Sequence, residues 1–219
     1  MSIISISYDL LLLTVFSVGI IRYKRLTIPF KVLTWSVLPI FLLAILSGIF
    51  SLKYKNNVPI MHLECITGYI FYSLTYYYLF KSKAIKQSII ISIVIIIVFF
   101  IINAVFLQPF RKVFPSNVTT PTQVLYAVFS LLLFKEMLLY PLKINIIKQS
   151  VFWYNIGVLF YSTSLFLMFG LGNYIGDHKL SPNFVSFIGY FWYFILYVFH
   201  ILIGVSLLID NKEITATDG

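Results

Sequence analysis

Seven long runs of apolar residues, separated by short polar stretches rich in Lys and Arg, fill almost the whole chain. They fall at about residues 6–21, 33–52, 60–80, 87–107, 122–140, 152–175 and 187–209. Each is roughly 20 residues long, the length an α-helix needs to cross about 30 Å of hydrocarbon. The pattern predicts an all-α membrane protein, a seven-transmembrane helix bundle that takes up residues 1–219 as one integral membrane domain. The fourth run, SIIISIVIIIVFFIINAVFL, is dominated by β-branched residues and would make a poor helix in water. In lipid, every backbone N–H and C=O must be satisfied within the segment, and that demand overrides the preference. The fifth run is interrupted by Lys135 and Glu136, and Pro39 in the second is the place where a kink is expected.

Composition agrees with the pattern. Of 219 residues 60% are hydrophobic and 11% charged, against about 25% charged in soluble globular proteins. The net charge of +9 raises the question of nucleic acid, but the basic residues sit in clusters between apolar runs rather than along one solvated face, so no nucleic-acid partner is expected. They read as orientation signals and contacts to membrane lipids. Arg22, Lys24, Arg25 and Lys31 fall in the first loop, Lys81, Lys83 and Lys86 in the third, and Lys143 and Lys148 in the fifth. The other loops hold fewer: Lys53 and Lys55, then Arg111 and Lys112, then Lys179. By the positive-inside rule the odd loops are cytoplasmic, with the N-terminus outside and the C-terminus inside, in the inner (plasma) membrane. No Lys or Arg precedes Arg22, so the first run is expected to remain as a helix rather than be removed as a signal peptide. The polar residues 210–219 are expected to form a short cytoplasmic tail.

Ionisable groups at membrane depth are expensive and are functional candidates by default. In this orientation Asp9, His62, Glu64, Asp177 and His178 lie near the outer helix ends with Asn103 and Asn173, where they either converge on an outward-facing pocket or sit wet in the headgroup layer. In the last run Tyr190, Tyr193, Tyr197, His200 and Gly204 recur at alternating spacings of three and four, which places them on one helix face. Such a stripe should face the bundle, either as an interhelical packing seam or as the wall of a pocket. The third run carries a stripe of Tyr69, Tyr72 and Tyr76 and beside it Glu64, Gly68 and Thr75. The sixth aligns Asn155, Ser162 and Asn173, and its Gly172 and Gly176 allow close helix approach. The candidate ligand-binding residues are therefore Tyr190, Tyr193, Tyr197, His200, Glu64, His62, Asn155 and Asn103.

Several chemistries are argued against. A retinal Schiff base needs a lysine in the last helix, and none occurs between Lys179 and Lys212. His62, His178 and His200 sit on separate segments with no H-x-x-x-H, and Cys65 stands alone, so no metal site or other cofactor is expected. There is no G-x-S-x-G and no glycine-rich phosphate cradle, and no catalytic residue is assigned. Channels and pumps usually place acids near the midplane, where this chain has almost none.

The segment Phe152-Trp153-Tyr154-Asn155-Ile156-Gly157-Val158-Leu159-Phe160-Tyr161, with Ser162 to Phe169 after it, resembles a pattern in small bacterial seven-helix proteins, common in Bacteroidetes, that occur beside or fused in front of sensor histidine kinases. The likeness covers the sixth helix strongly and the rest in outline. It implies a non-enzymatic membrane sensor or accessory module whose output passes to a separate partner such as a histidine kinase. A lipid or small-molecule binding or transport protein, and an intramembrane hydrolase using Glu64 with His62 or His200, are the second and third readings.

Overall fold

A computed structural model describes residues 3–141, 145–177 and 181–212, with the side-chain surroundings of 170–177, 182 and 185 outside the description. Seven α-helices make up nearly all of it: α1 (Ile3–Arg22), α2 (Ile28–Tyr54), α3 (Val58–Leu79), α4 (Lys83–Ile102), α5 (Ser116–Leu139), α6 (Ser150–Asp177) and α7 (Pro182–Ile209). Among the described residues there is no β-strand. Each apolar run of the sequence lies on one of these helices, with bounds shifted by local chemistry. Proline at the first turn starts α2, α3 and α7, where its missing N–H removes a donor that has no partner anyway. Ser82 and Ser181 cap α4 and α7 by accepting the N–H groups of Ile85 and Phe184. Lys55, in the left-handed region at φ 54°, turns the chain out of α2. Pro121 is carried within the second turn of α5, which begins before the apolar run does.

The fourth run divides. Its last residues, Asn103–Leu107, form a π-helical turn closed by the Gln108 N–H on the Asn103 carbonyl at 2.7 Å. The wider turn places the Asn103 side chain against the start of α5. There its amide donates to Gln108 Oε1, its own carbonyl accepts from Asn117, and Gln108 donates to Ser116 Oγ. This polar knot ties the α4–α5 connection to the bundle, consistent with π-turns marking sites of side-chain specialisation.

Six helical stretches are long and apolar enough to cross a membrane, on α1, α2, α4, α5, α6 and α7. Only 22–33% of the residues in their spanning windows are buried inside the protein. On α4 the outward positions Ile90, Ile91, Val94, Ile95, Val98 and Ile101 are all exposed. An exterior so uniformly aliphatic is unstable in water and suits lipid, which identifies a multi-pass membrane protein. The helix that falls short of the criterion is α3, and packing gives the reason. It lies against α2, α4 and α5, and its tyrosines reach α6 and α7 as well. Its buried residues are Ile60, His62, Tyr69, Tyr72, Ser73, Thr75 and Tyr76. A helix shielded on most sides by its neighbours has little need of an apolar exterior, so its hydroxyls lower the hydropathy without meeting lipid.

The helices pack in sequence, α1 on α2, α2 on α3, α3 on α4, α4 on α5, α5 on α6 and α6 on α7, with α7 back on α1. The α1–α2 approach is tight because Gly19 has no side chain: a Cβ there would lie 2.5 Å from Thr34. At the end of the bundle that holds the odd-numbered connections, Asp210 closes the ring. Its carboxylate accepts the Thr27 N–H at 2.7 Å, the Thr27 hydroxyl at 3.1 Å and the Ser150 hydroxyl at 2.9 Å. Arg22 donates to the carbonyls of Leu207 and Asp210, and the Lys212 N–H to that of Arg25. The end of α7 is thereby fastened to the α1–α2 connection and to the start of α6.

Burial pushes the Asp210 carboxyl above the usual carboxylate range, against the Thr27 and Ser150 hydrogen bonds and the Arg22 charge, which pull it down. A folded value above the unfolded one means that this group's stabilisation is complete below the unfolded value, about 3.9, and declines as pH rises through the folded value. We expect the unfolding temperature of the purified protein in detergent to fall over that window, and Asp210→Asn to remove part of the slope. Asp210→Ala, which leaves the Thr27 and Ser150 donors without their acceptor, should destabilise by about 1–3 kcal/mol in the same assay.

Candidate functional site

Above the mid-bundle the helices separate and leave two connected chambers. The inner one, about 120 Å³, is walled by side chains of α1, α2, α3, α5, α6 and α7, among them Tyr8, Glu64, Tyr69, Tyr72, Gln123, Tyr126, Tyr161, Trp192, Phe199 and His200. The outer one, about 690 Å³, is a vestibule lined by Ser5, Asp9, Ser47, Asn57, Tyr193 and others, and it shares Tyr8, Ala44, Met61, Glu64, Phe114, Trp192 and Leu196 with the inner chamber. Its lining comes from the beginnings of α1, α3 and α7 and from the ends of α2 and α6, so it lies toward the end of the bundle that holds the N-terminus and the even-numbered connections. Toward the opposite end the interior is filled by Phe30, Tyr76, Phe129 and Tyr154, packed ring against ring.

His200 forms the floor of the inner chamber and is 2% exposed. Its Nδ1 lies 2.9 Å from the Leu196 carbonyl, one turn earlier on α7. A carbonyl only accepts, so Nδ1 carries the proton and Nε2 is left as acceptor for the Tyr72 hydroxyl at 3.4 Å. The Tyr8 hydroxyl reaches the same ring at 3.3 Å, and the Tyr8 and Phe199 rings meet it edge-on. One imidazole thus joins α1, α3 and α7.

Glu64, on α3, lines both chambers. It makes no hydrogen bond or ion pair with another described residue, and the same holds of Asp9, whose Oδ1 is buried without a partner. Among the described residues no Lys or Arg lines either chamber. Ionisable groups within a membrane helix are rare unless paired or functional, so two carboxyl groups lining a shared vestibule are a departure that packing does not account for. Gln123 adds a third polar group to the wall; it is 3% exposed and its Oε1 has no partner. Cys65 lies beside Thr119 on the same wall, 3.5 Å from its hydroxyl.

The sequence-derived candidates divide between this cavity and the scaffold. Glu64, His200 and Tyr193 line it. Tyr197 lies on the α1–α7 seam, with its hydroxyl donating to the Ile4 carbonyl at 3.1 Å and meeting Ser7. Tyr190, at the rim of α7, is 61% exposed, so the tyrosine stripe faces the bundle only from Tyr193 onward. His62 is buried outside both chambers: its Nε2 donates to the Val113 carbonyl at 2.9 Å and its ring packs on Phe100 and Phe110, which anchors the α4–α5 connection. Asn103 belongs to the polar knot of the same connection. Asn155 is fully paired between α3 and α5, accepting from Tyr76 at 2.8 Å and donating to the Ser130 carbonyl at 3.0 Å, while Ser130 returns a hydrogen bond to the Asn155 carbonyl. His178 lies outside the described residues, as do the surroundings of the Asn173 and Asp177 side chains. Among the described residues no three His, Cys, Asp or Glu side chains are grouped to hold a metal ion.

Tyr8, Gln123, Tyr126, Tyr161 and Trp192 are cavity residues that the sequence reading did not single out. A polar glutamine two residues after Pro121 was a visible signal; a lone Tyr or Trp in an aromatic-rich helix carries none, because its facing depends on helix rotation.

The division has a direct consequence for mutants. Asn155→Leu should lower the stability of the detergent-solubilised protein by about 1–2 kcal/mol, since it leaves the Tyr76 hydroxyl and the Ser130 carbonyl without partners in the bundle interior. Tyr190→Phe, at an exposed position, should stay within about 0.5 kcal/mol of the parent in the same thermal unfolding assay.

The chain matches no protein-family model, no curated protein and no solved structure, so its site is read from geometry alone.

Proposed function

We propose that this chain is a seven-span receptor module of the bacterial inner membrane, with its N-terminus outside, which holds a small ligand in the outward chamber and passes its occupancy to a cytoplasmic signalling partner such as a histidine kinase. The single observation that carries the proposal is the placement of His200. It is both the floor of the cavity and a shared hydrogen-bonding partner of tyrosines on α1 and α3. A ligand that touches Tyr8, Tyr72 or His200 perturbs the contacts by which three helices are held together, and α7 continues from there to Asp210 at the other end. Differential contacts in two packings of the same helices are what a receptor needs in order to shift between states.

The count of seven spans is supported by the length of α3. Its 22 residues extend about 33 Å, enough to cross the hydrocarbon within the shelter of its neighbours. The orientation is supported by the excess of Lys and Arg at the end opposite the vestibule. A carrier would need the site to open to the second face as well, and Phe30, Tyr76, Phe129 and Tyr154 fill that path. A hydrolase using His62 would need its imidazole in the chamber, whereas that ring is held at Val113. The first fact favours the receptor over the carrier, and the second removes His62, though not His200, which lines the same inner chamber as Glu64, from a hydrolase reading.

In intact cells of a Cys65→Ala background, Ser47→Cys at the vestibule should react with a membrane-impermeant maleimide and Lys83→Cys only after permeabilisation; the reverse pattern would overturn the orientation. Crosslinking from residue 83, at the α3–α4 connection, should capture a histidine kinase or another signalling protein. A crosslinked set without one would remove the signalling role.

A further inference from the structure

We infer that the chamber is built for an organic cation, a primary or methylated amine whose charged head sits at Glu64 and whose body extends into the vestibule. This rests on the receptor reading for its biological purpose but stands on separate observations. Glu64 and Asp9 present carboxyl groups to the connected chambers, make no hydrogen bond or ion pair with any described residue, and have no Lys or Arg beside them in the lining. Among the described residues, therefore, the lining holds no countercharge. Carboxyl groups at membrane depth are ordinarily paired, and Glu64, half-buried and lining both chambers, has open space where a partner would be.

The surrounding walls fit the same ligand. Tyr72, Tyr126, Tyr161, Trp192 and Phe199 line the inner chamber, and aromatic faces attract ammonium groups once water is excluded. Gln123, on the chamber wall and nearly fully buried, has an Oε1 without a partner, which a small side-chain rotation would bring to an N–H of the same head group. An anionic ligand would meet two carboxyl groups and, among the described lining residues, no Lys or Arg. A wholly apolar ligand would leave Glu64, Asp9 and Gln123 as they are, without partners. Size sorts the candidates further: about 120 Å³ admits a compact head, and the roughly 690 Å³ vestibule admits an aliphatic or aromatic body behind it.

The test is equilibrium binding to the purified full-length protein in lipid nanodiscs, with three isosteric probes: phenethylamine, neutral 2-phenylethanol and anionic phenylacetate. Phenethylamine should bind saturably and at least tenfold more tightly than either comparator, with butylamine and tetramethylammonium also binding. Glu64→Gln should weaken phenethylamine by tenfold or more, about 1.4 kcal/mol, while leaving 2-phenylethanol unchanged. Tyr190→Phe, outside the chamber, should bind as the parent does. A thermal unfolding scan of each variant establishes that it is folded; if Glu64→Gln fails to fold, Gln123→Leu and Asp9→Asn provide the same comparison. Equal or tighter binding of the neutral or anionic probe, no binding of any amine at millimolar concentration, or undiminished amine binding by Glu64→Gln would each overturn the inference. Amine binding without a crosslinked signalling partner would instead retire the receptor role and leave the amine site in place. A captured partner without amine selectivity would do the opposite.

Discussion

A phenol hydroxyl in the middle of a hydrocarbon slab has to find its hydrogen-bond partner inside the protein, and this bundle is organised by where its tyrosines find theirs. Tyr69 donates to Ser92 on α4, Tyr76 to Asn155 on α6, and Tyr154 on α6 to the Tyr72 carbonyl on α3. Tyr8 and Tyr72 share His200 on α7, and Tyr197 on α7 reaches back to Ile4 on α1. Every one of these bonds joins two helices, and most begin or end on α3. The apolar stripes of the outer helices have no preferred partner in lipid, because a neighbouring tail is as apolar as a neighbouring Leu. The directional contacts are therefore what fix which helix lies against which, and at what rotation.

The same constraint explains why the cavity is where it is. In the half of the bundle containing Tyr76, Tyr154, Phe129 and Phe30, aromatic rings meet across the interior at centroid distances of 5.3–6.4 Å and leave no chamber. In the other half α3 also presents Glu64, Cys65 and Gly68 to the interior beside Met61, Tyr69 and Tyr72, and these three are too small or too polar to fill the space between Trp192 and Tyr126. Space and an unpaired carboxyl group thus arise together on α3, over little more than one turn, and Asp9 on α1 adds a second carboxyl group to the same vestibule. An arrangement of this kind weakens the bundle locally, as functional sites commonly do.

Much of this was legible in the sequence. Apolar run length gave the helices, because in lipid the hydrocarbon thickness sets a lower limit on each segment. The tyrosine stripe of α3 and the one beside it, with Glu64 and Gly68, were visible as helical periodicity, and both face the interior as an i, i+3, i+4 pattern implies. What was not legible was the division of polar residues into those paired with a neighbour and those left facing a void. Asn155 and Glu64 look alike as polar positions in apolar helices. One is paired because Tyr76 and Ser130 lie within hydrogen-bond distance, the other unpaired because nothing does, and that difference is created by contacts 79 and 25 residues away in sequence, only where the helices meet. His62 misled for the same reason: its partner, the Val113 carbonyl, belongs to an irregular connection whose path no periodicity describes.

The fastening at Asp210 also sets the angle at which the polypeptide leaves the bundle. With three donors on its carboxylate and the Lys212 N–H held by Arg25, the exit of α7 cannot swing freely as a loose linker would. Any axial rotation of the last helix at this end would therefore have to carry the α1–α2 connection and the start of α6 with it, as a clamp on a shaft would.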